Sequence, residues 1–265
     1  MASNLLVHPT APDAEGAMHR ITPQSAGWTY VGFETYRLGA GAKLSRKQVG
    51  REACLVLLSG KARVTAGGQS FGEIGERKSP FDGSPWSVYV PAGAEWNLVT
   101  EKGCELAVCT APAEGRFKAR VIPPSDVGTE TRGKNTNVRH VRNILPVSEE
   151  AESLLVVEVI TPGGHWSSYP PHKHDVNDPP NETLLEETYY HRLQRPGFAV
   201  QRVYTDDRSL DETFAVADGD VVLVPRGYHP VGAPHGFDLF YLNVMAGPVR
   251  DWKFTMAPEH AFLGW

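Results

Sequence analysis

His172 and His174, one residue apart in Pro170-Pro171-His172-Lys173-His174, are the side chains of this sequence best placed to do chemistry. Alternate residues of a strand project from one face, so a strand-borne His-x-His pair aims two imidazoles at a single point. Thirteen residues after His174, Glu187 opens Glu187-Thr-Tyr-Tyr-His191, where Glu187, Tyr189 and His191 share a strand face. His229 ends Pro225-Arg226-Gly227-Tyr228-His229, just past the apolar run Val221-Val222-Leu223-Val224. Three imidazole nitrogens and one carboxylate oxygen converging inside β-structure make the donor set of a divalent cation. The expected ligands of one ion are therefore His172, His174, Glu187 and His229. Neighbouring strand residues face opposite ways, so only one of Glu186 and Glu187 can point inward, and parity with the aromatic Tyr189 selects Glu187. His191 and Tyr189, on the same face, and His235, on a later loop, are the candidates for a proton-transferring group. The run Arg139-His-Val-Arg142 reads as a solvated linker face, with a carboxylate clamp as the alternative.

The elements that must position these groups are strands. Among 265 residues there are 26 glycines and 21 prolines, and between them lie short runs such as Leu55-Val56-Leu57-Leu58, Leu154-Leu155-Val156-Val157 and Leu239-Phe240-Tyr241-Leu242. Short β-branched and aromatic runs at this spacing imply an all-β barrel or sandwich, with at most a turn of helix between Arg142 and Glu152. Trp86, Trp96, Trp166, Trp252 and Trp265 read mainly as barrel core.

Hydrophobic residues make 41% of the chain and charged residues 22%, ordinary values for a soluble globular protein. A formal charge of −5 gives no electrostatic reason to expect nucleic acid or an anionic membrane. No apolar run reaches the ~20 residues of a membrane helix, and the first residues lack a basic start and long apolar core. Cys54, Cys104 and Cys109, without CxxC spacing, read as small buried hydrophobes of a cytoplasmic protein.

The chain also resembles itself. Glu52-Ala-Cys-Leu-Val-Leu-Leu precedes Val88-Tyr-Val-Pro91-Ala-Gly93 much as Glu187-Thr-Tyr-Tyr-His precedes Val222-Leu-Val-Pro225-Arg-Gly227, with 39 and 38 residues from Glu to Pro. One β-unit used twice is expected, with residues 1–140 forming the first barrel and 141–265 the second. Before Glu52 there is no His-x-His, and after Pro91-Ala-Gly93 comes Ala-Glu-Trp96-Asn97, so the first barrel is expected to have lost three of four ligands and to hold no metal.

The second half resembles the cupin metal signature, in which Gly, His-x-His and Glu are followed by Gly, five residues, Pro-x-Gly and His; Gly219 stands with five residues before Pro225. Two departures are visible. The gap from His174 to Glu187 is longer than usual, and the last histidine comes one residue early, which leaves His235 as a stand-in. Over nearly the full length, Asn4-Leu-Leu-Val-His8, Pro80-Phe-Asp-Gly-Ser-Pro-Trp86, Tyr169-Pro-Pro-His-Lys-His-Asp175, Glu186-Glu-Thr-Tyr-Tyr190 and Pro225-Arg-Gly-Tyr-His-Pro230 make the chain similar to the 5-deoxyglucuronate isomerases of inositol breakdown. These are bicupins similar to the 4-deoxy-5-keto-uronate isomerases of pectin breakdown. The resemblance implies two tandem jelly-roll barrels and one divalent ion in the second, usually zinc, with manganese, iron, cobalt or nickel as alternatives. It implies conversion of 5-deoxy-D-glucuronate to 5-dehydro-2-deoxy-D-gluconate, the ion stabilising an enediolate. Arg226 is the expected contact of the substrate carboxylate. A related deoxy-keto-uronate substrate, a metal-dependent dioxygenase and a non-catalytic sugar-acid binder are the competing readings, and a homo-oligomer is compatible with all of them.

Overall fold

Branched and aromatic side chains pack well on a pleated surface, and frequent glycine and proline limit each run to a few residues. In the computed structural model, described over residues 5–263, the sequence accordingly folds into short strands. Among the described residues the α-helical structure is a single turn, Pro23–Ala26, capped by Thr22. Asn4 and Trp265 lie outside the described residues. No helix forms between Arg142 and Glu152: the strand Arg139–Leu145 runs to Pro146, whose carbonyl accepts from Glu149 N at 3.1 Å in a tight turn. Proline has no N–H to continue a helix. Among the described residues, no helix is long and apolar enough to cross a membrane. Trp96 is fully buried, whereas Trp166 is 40% exposed, covering the face of Gly232.

The chain divides into two compact units that exchange segments instead of being cut once near residue 140. One unit holds residues 5–8, 129–142 and 157–263; the other holds 9–128 and 143–156. The first exchange has a plain cause. The strand Leu6–Val7 pairs antiparallel with Val221–Val224, Leu6 opposite Val222 and Val7 opposite Val221, and His8 Nδ1 lies 2.7 Å from Asp220 Oδ1.

In the unit containing residue 172, a seven-stranded sheet runs in the order Leu6–Val7, Val221–Val224, Glu186–Leu193, Leu239–Ala246, Leu155–Thr161, Arg139–Leu145, Gly128–Arg132. A four-stranded sheet, Trp166–Ser167, Val231–Gly232, Ala199–Tyr204, Asp211–Val216, faces it. Val141, Val159, Tyr189, Val222, Val224 and Tyr241 of the first sheet and Val203, Phe214, Val216 and Val231 of the second form one core. The other unit repeats the plan. Its six-stranded sheet, Arg120–Ile122, Ser87–Val90, Arg51–Gly60, Cys104–Pro112, Gly32–Leu38, Ala17–Ile21, shares a core with Lys43–Lys47, Glu95–Val99, Ala62–Ala66, Gln69–Ile74.

Pairing registers correct the alignment of the repeats. Glu187 lies opposite Val224, the residue before Pro225; the residue opposite Val90, before Pro91, is Ala53. Directly opposed residues share a face, and Val90, Ala53 and Leu55 belong to the core. Ala53 is therefore the counterpart of Glu187, and Glu52 that of Glu186. The distance from Ala53 to Pro91 is 38 residues, matching Glu187 to Pro225; the odd residue in the 39 was the slip. Trp96, fully buried in the core, occupies the inward place after Pro-x-Gly that His229 takes in the other unit.

Glu52 instead holds its own unit together. Its carboxylate accepts from the N–H groups of Glu152, Ser153 and Leu154 at 2.8, 2.6 and 2.7 Å and from the Tyr89 hydroxyl at 2.6 Å, which ties the exchanged segment 143–156 to the sheet. All three cysteines are buried free thiols, and burial pushes Cys54 up to about 12. Removing a fully buried carboxylate strands four donors, each costing ~1–3 kcal/mol. Glu52→Ala should lower the denaturant-measured stability by about 3 kcal/mol or more, and Glu52→Gln by less. A loss below about 1 kcal/mol in the alanine variant would refute this role.

Candidate metal centre

His172–Lys173 is a two-residue strand paired with Thr255–Met256, His172 opposite Met256. Extended backbone through Lys173 turns His172 and His174 to one side, while Lys173 points out to an ion pair with Asp206. The long insertion after His174 closes on itself. Leu185 N donates to His174 O at 3.1 Å, and Glu182 Oε1 accepts from Asp175 N and Val176 N at 2.5 and 3.0 Å. The chain thus re-enters the sheet at Glu186 beside the point where it left. His229 is delivered by the turn at Gly227, whose positive φ of 91° suits glycine and whose Cβ position lies 2.5 Å from Tyr204 O.

These elements bring His172, His174, His229 and Glu187 together. One nitrogen from each of the three histidines lies within 4.8 Å of the others. Glu187 Oε1 is 3.4 Å from His174 Nε2 and 3.8 Å from His229 Nε2. All four residues are buried. The outer atoms are committed elsewhere: His174 Nδ1 is 2.9 Å from Lys253 O, and His229 Nδ1 is 2.9 Å from Gly227 O. A carbonyl only accepts, so each Nδ1 carries the proton and each Nε2 offers a lone pair. Glu187 Oε2 accepts from Asn243 Nδ2 at 3.0 Å, and Asn243 also donates to Thr188 O at 3.3 Å. His174 Nε2, His229 Nε2 and Glu187 Oε1 make no hydrogen bond at all. Buried acceptors converging without donors are costly in an ordinary core and are what a cation requires. The oxygen-to-nitrogen distances fit within the span of two ~2.1 Å coordination bonds. The residues fit a divalent metal.

Burial, then the neighbouring imidazoles of His229 and His174, holds His172 well below the usual histidine range, and burial likewise lowers His174. Both favour the neutral, metal-binding form. Trp252 and Phe254 wall the cluster, their rings 6.1 and 5.0 Å from His172. Tyr189 packs 5.6 Å from His229, and its hydroxyl is 3.2 Å from Ser168 Oγ. Burial, reinforced by the Glu187 charge, raises the Tyr189 phenol well above its ordinary value, so it keeps its proton.

The remaining expected residues divide. His191 is buried on the inward face, with Nε2 2.8 Å from Gln201 Oε1, and Gln201 Nε2 reaches His229 O at 3.5 Å. His235 is exposed, on the loop before Leu239–Ala246, and stands outside the histidine cluster. Arg226 is also exposed, 3.5 Å from Ser209 Oγ, because it sits at the outer tip of the Pro-x-Gly turn. Arg139 corrects the reading of its run as a solvated face: it is 4% exposed. Asn243, Gln201, Trp252 and Phe254 carry no motif. Only Asn243 has a sequence signal, its inward parity with Tyr241 in Leu239–Ala246.

Two jelly-roll units, one bearing an inward cluster of three histidines and a glutamate, define a bicupin with the donor set of a metal centre. The chain belongs to the KduI/IolB family, whose model matches residues 5–263. It is 54% identical over 263 residues to the 5-deoxy-glucuronate isomerase of Geobacillus thermodenitrificans, covering 98% of this chain and 96% of that one. Identity to the protein of the same name from Bacillus subtilis is 46%, covering 93% and 92%. An IolB-like protein from Salmonella typhimurium LT2 has a similar crystal structure, with a TM-score of 0.96, 51% identity and coverage of 99% and 100%. Oxalate decarboxylase from Lactobacillus farciminis, at 16% identity, covers 98% and 90% with a TM-score of 0.68 and shares the fold.

His191 generates a pH prediction. Burial pushes it down from 6.5 to about 4, so the unfolded chain binds the proton first. Its contribution to stability is complete above pH 6.5 and is lost as the pH falls toward 4, on the order of 3 kcal/mol. Denaturant titrations at pH 7 and 4.5 should show a smaller acid loss for His191→Gln than for the unaltered protein; equal losses would contradict it.

Proposed function

We propose that this protein isomerises 5-deoxy-D-glucuronate to 5-dehydro-2-deoxy-D-gluconate, an aldose–ketose exchange of inositol catabolism, at a divalent-metal centre formed by His172, His174, His229 and Glu187. The carrying observation is the buried cluster with its lone pairs fixed inward, in a chain whose full-length relatives bear the name of that reaction. A divalent ion bound there would supply Lewis-acid stabilisation for negative charge developing on a substrate oxygen as the neighbouring carbon loses its proton. Three nitrogens and one oxygen suit zinc, and also manganese, iron, cobalt or nickel.

The other residues act on protons and position. Tyr189, protonated and 3.2 Å from Ser168 Oγ, is suited to hold a proton at its phenolic oxygen and donate a hydrogen bond to a substrate oxygen. His191, pushed down to about 4 by burial, is too weak a base to lead proton abstraction; through Gln201 it steadies the backbone of His229. Trp252 and Phe254 keep water from one side of the imidazoles. Buried thiols without disulfides suit a reducing cytoplasm.

NMR of the metal-loaded protein with 5-deoxyglucuronate should show the aldehyde replaced by a ketone. Chelation should abolish turnover and a divalent ion restore it. A demonstrably metal-free sample that still turns over at the full rate would make the metal structural. Separately, His174→Ala should remain folded by circular dichroism yet lose its metal by elemental analysis; unchanged metal content would mean that the ligand set is wrong.

A further inference from the structure

A substrate with a carbonyl at one end and a carboxylate at the other needs a fixed cation away from the ligand cluster. Arg226, near the ligands in sequence, is exposed at the tip of its turn. Arg139 has a different position. It opens the strand Arg139–Leu145 with the parity of Val141, which packs in the core with Tyr189 and Tyr241. Its side chain is therefore directed to the inward face of the sheet that carries Glu187, and it is 4% exposed.

The head group is tied to the ligand-bearing segment. Arg139 Nη1 donates to Tyr169 O at 3.3 Å, three residues before His172, and to Asn137 O at 3.2 Å. Gly133 passes so close that a Cβ there would lie 2.7 Å from Nη1. A cavity of about 20 Å³ lies against this guanidinium, lined also by Lys134, Asn137, Tyr169 and Pro170. Burial lowers the Arg139 pKa; Tyr241 opposes this, Arg132, whose guanidinium lies 4.8 Å from the Trp252 ring centroid, adds like-charge repulsion, and Glu130 and Tyr189 act to raise it. A planar guanidinium matches the two oxygens of a carboxylate.

We propose that Arg139 is the specificity-determining residue that receives the substrate's carboxylate, orienting the acid so that its aldehyde end meets the histidine–glutamate cluster. The assignment deepens the isomerase reading and rests on it for the identity of the acid. An Arg139 that merely buttressed Tyr169 and Pro170 would disturb metal content and every substrate alike, which sets the test.

Turnover and calorimetric binding are measured for 5-deoxyglucuronate and for 5-deoxyglucose, which carries hydroxymethyl in place of the carboxylate. The proteins are the unaltered chain, Arg139→Met, Arg139→Lys and Arg226→Met, each checked for metal by elemental analysis. Arg139→Met should weaken kcat/KM for the acid about 10- to 100-fold, chiefly through KM, and leave the value for 5-deoxyglucose within a few-fold. Metal content should not change. Arg139→Lys should recover part of the loss, and it supplies the comparison if the methionine variant fails to fold. Equal losses on both sugars, lost metal, or a selective loss in Arg226→Met instead would overturn the proposal. Should the unaltered protein bind the acid without isomerising it, the isomerase reading falls, and the binding ratio alone decides for or against Arg139. Absence of binding would overturn both.

Discussion

The site depends on two backbone carbonyls. Lys253 O and Gly227 O each take the Nδ1 proton of a histidine, and so decide where the lone pairs of His174 and His229 lie. Without them the imidazoles could turn or change tautomer, and a buried Glu187 would meet N–H donors instead of lone pairs. Asn243 does the same for the carboxylate by occupying Oε2 and leaving Oε1 inward. The cluster is thus a set of groups satisfied at the back and left wanting at the front. Such an arrangement withdraws hydrogen bonding from the protein at one point and costs stability there, a cost that a bound cation would offset.

The two units show how little of the fold this demand touches. They share strand order, and both cores are built from aliphatic and aromatic side chains. Yet Ala53 stands where Glu187 would be, and Trp96 fills the place of His229. An alanine and an indole give a closed apolar interior, where the other unit keeps polar groups. The carboxylate at position 52 faces the opposite side, and there it organises backbone.

Much of this was legible in residue types. His-x-His, the glutamate parity and Pro-x-Gly identify the cluster, because strand alternation converts spacing directly into direction. The single-residue discrepancy between the repeats carried real information about register, and pairing is needed to see that it moves Glu52 to the outer face. Arg139 is hidden for another reason. Its neighbours Asn137, His140 and Arg142 are polar, so its burial comes from Tyr169 and Gly133 folding over it, not from any pattern in its own segment. Lys253 O is equally silent, since every residue but its side chain offers the same carbonyl. The interleaved units also escape a reading that seeks one boundary, because a two-residue strand such as Leu6–Val7 has no periodicity to detect.

That short strand has a consequence for the order in which the molecule can be made. Residues 5–8 are made long before their partner, Val221–Val224. The unit built on residues 9–128 can begin to assemble while the chain is still growing. The unit that houses the histidines must keep the strand Leu6–Val7 waiting, and adds it to its sheet only once Val221–Val224 has been made.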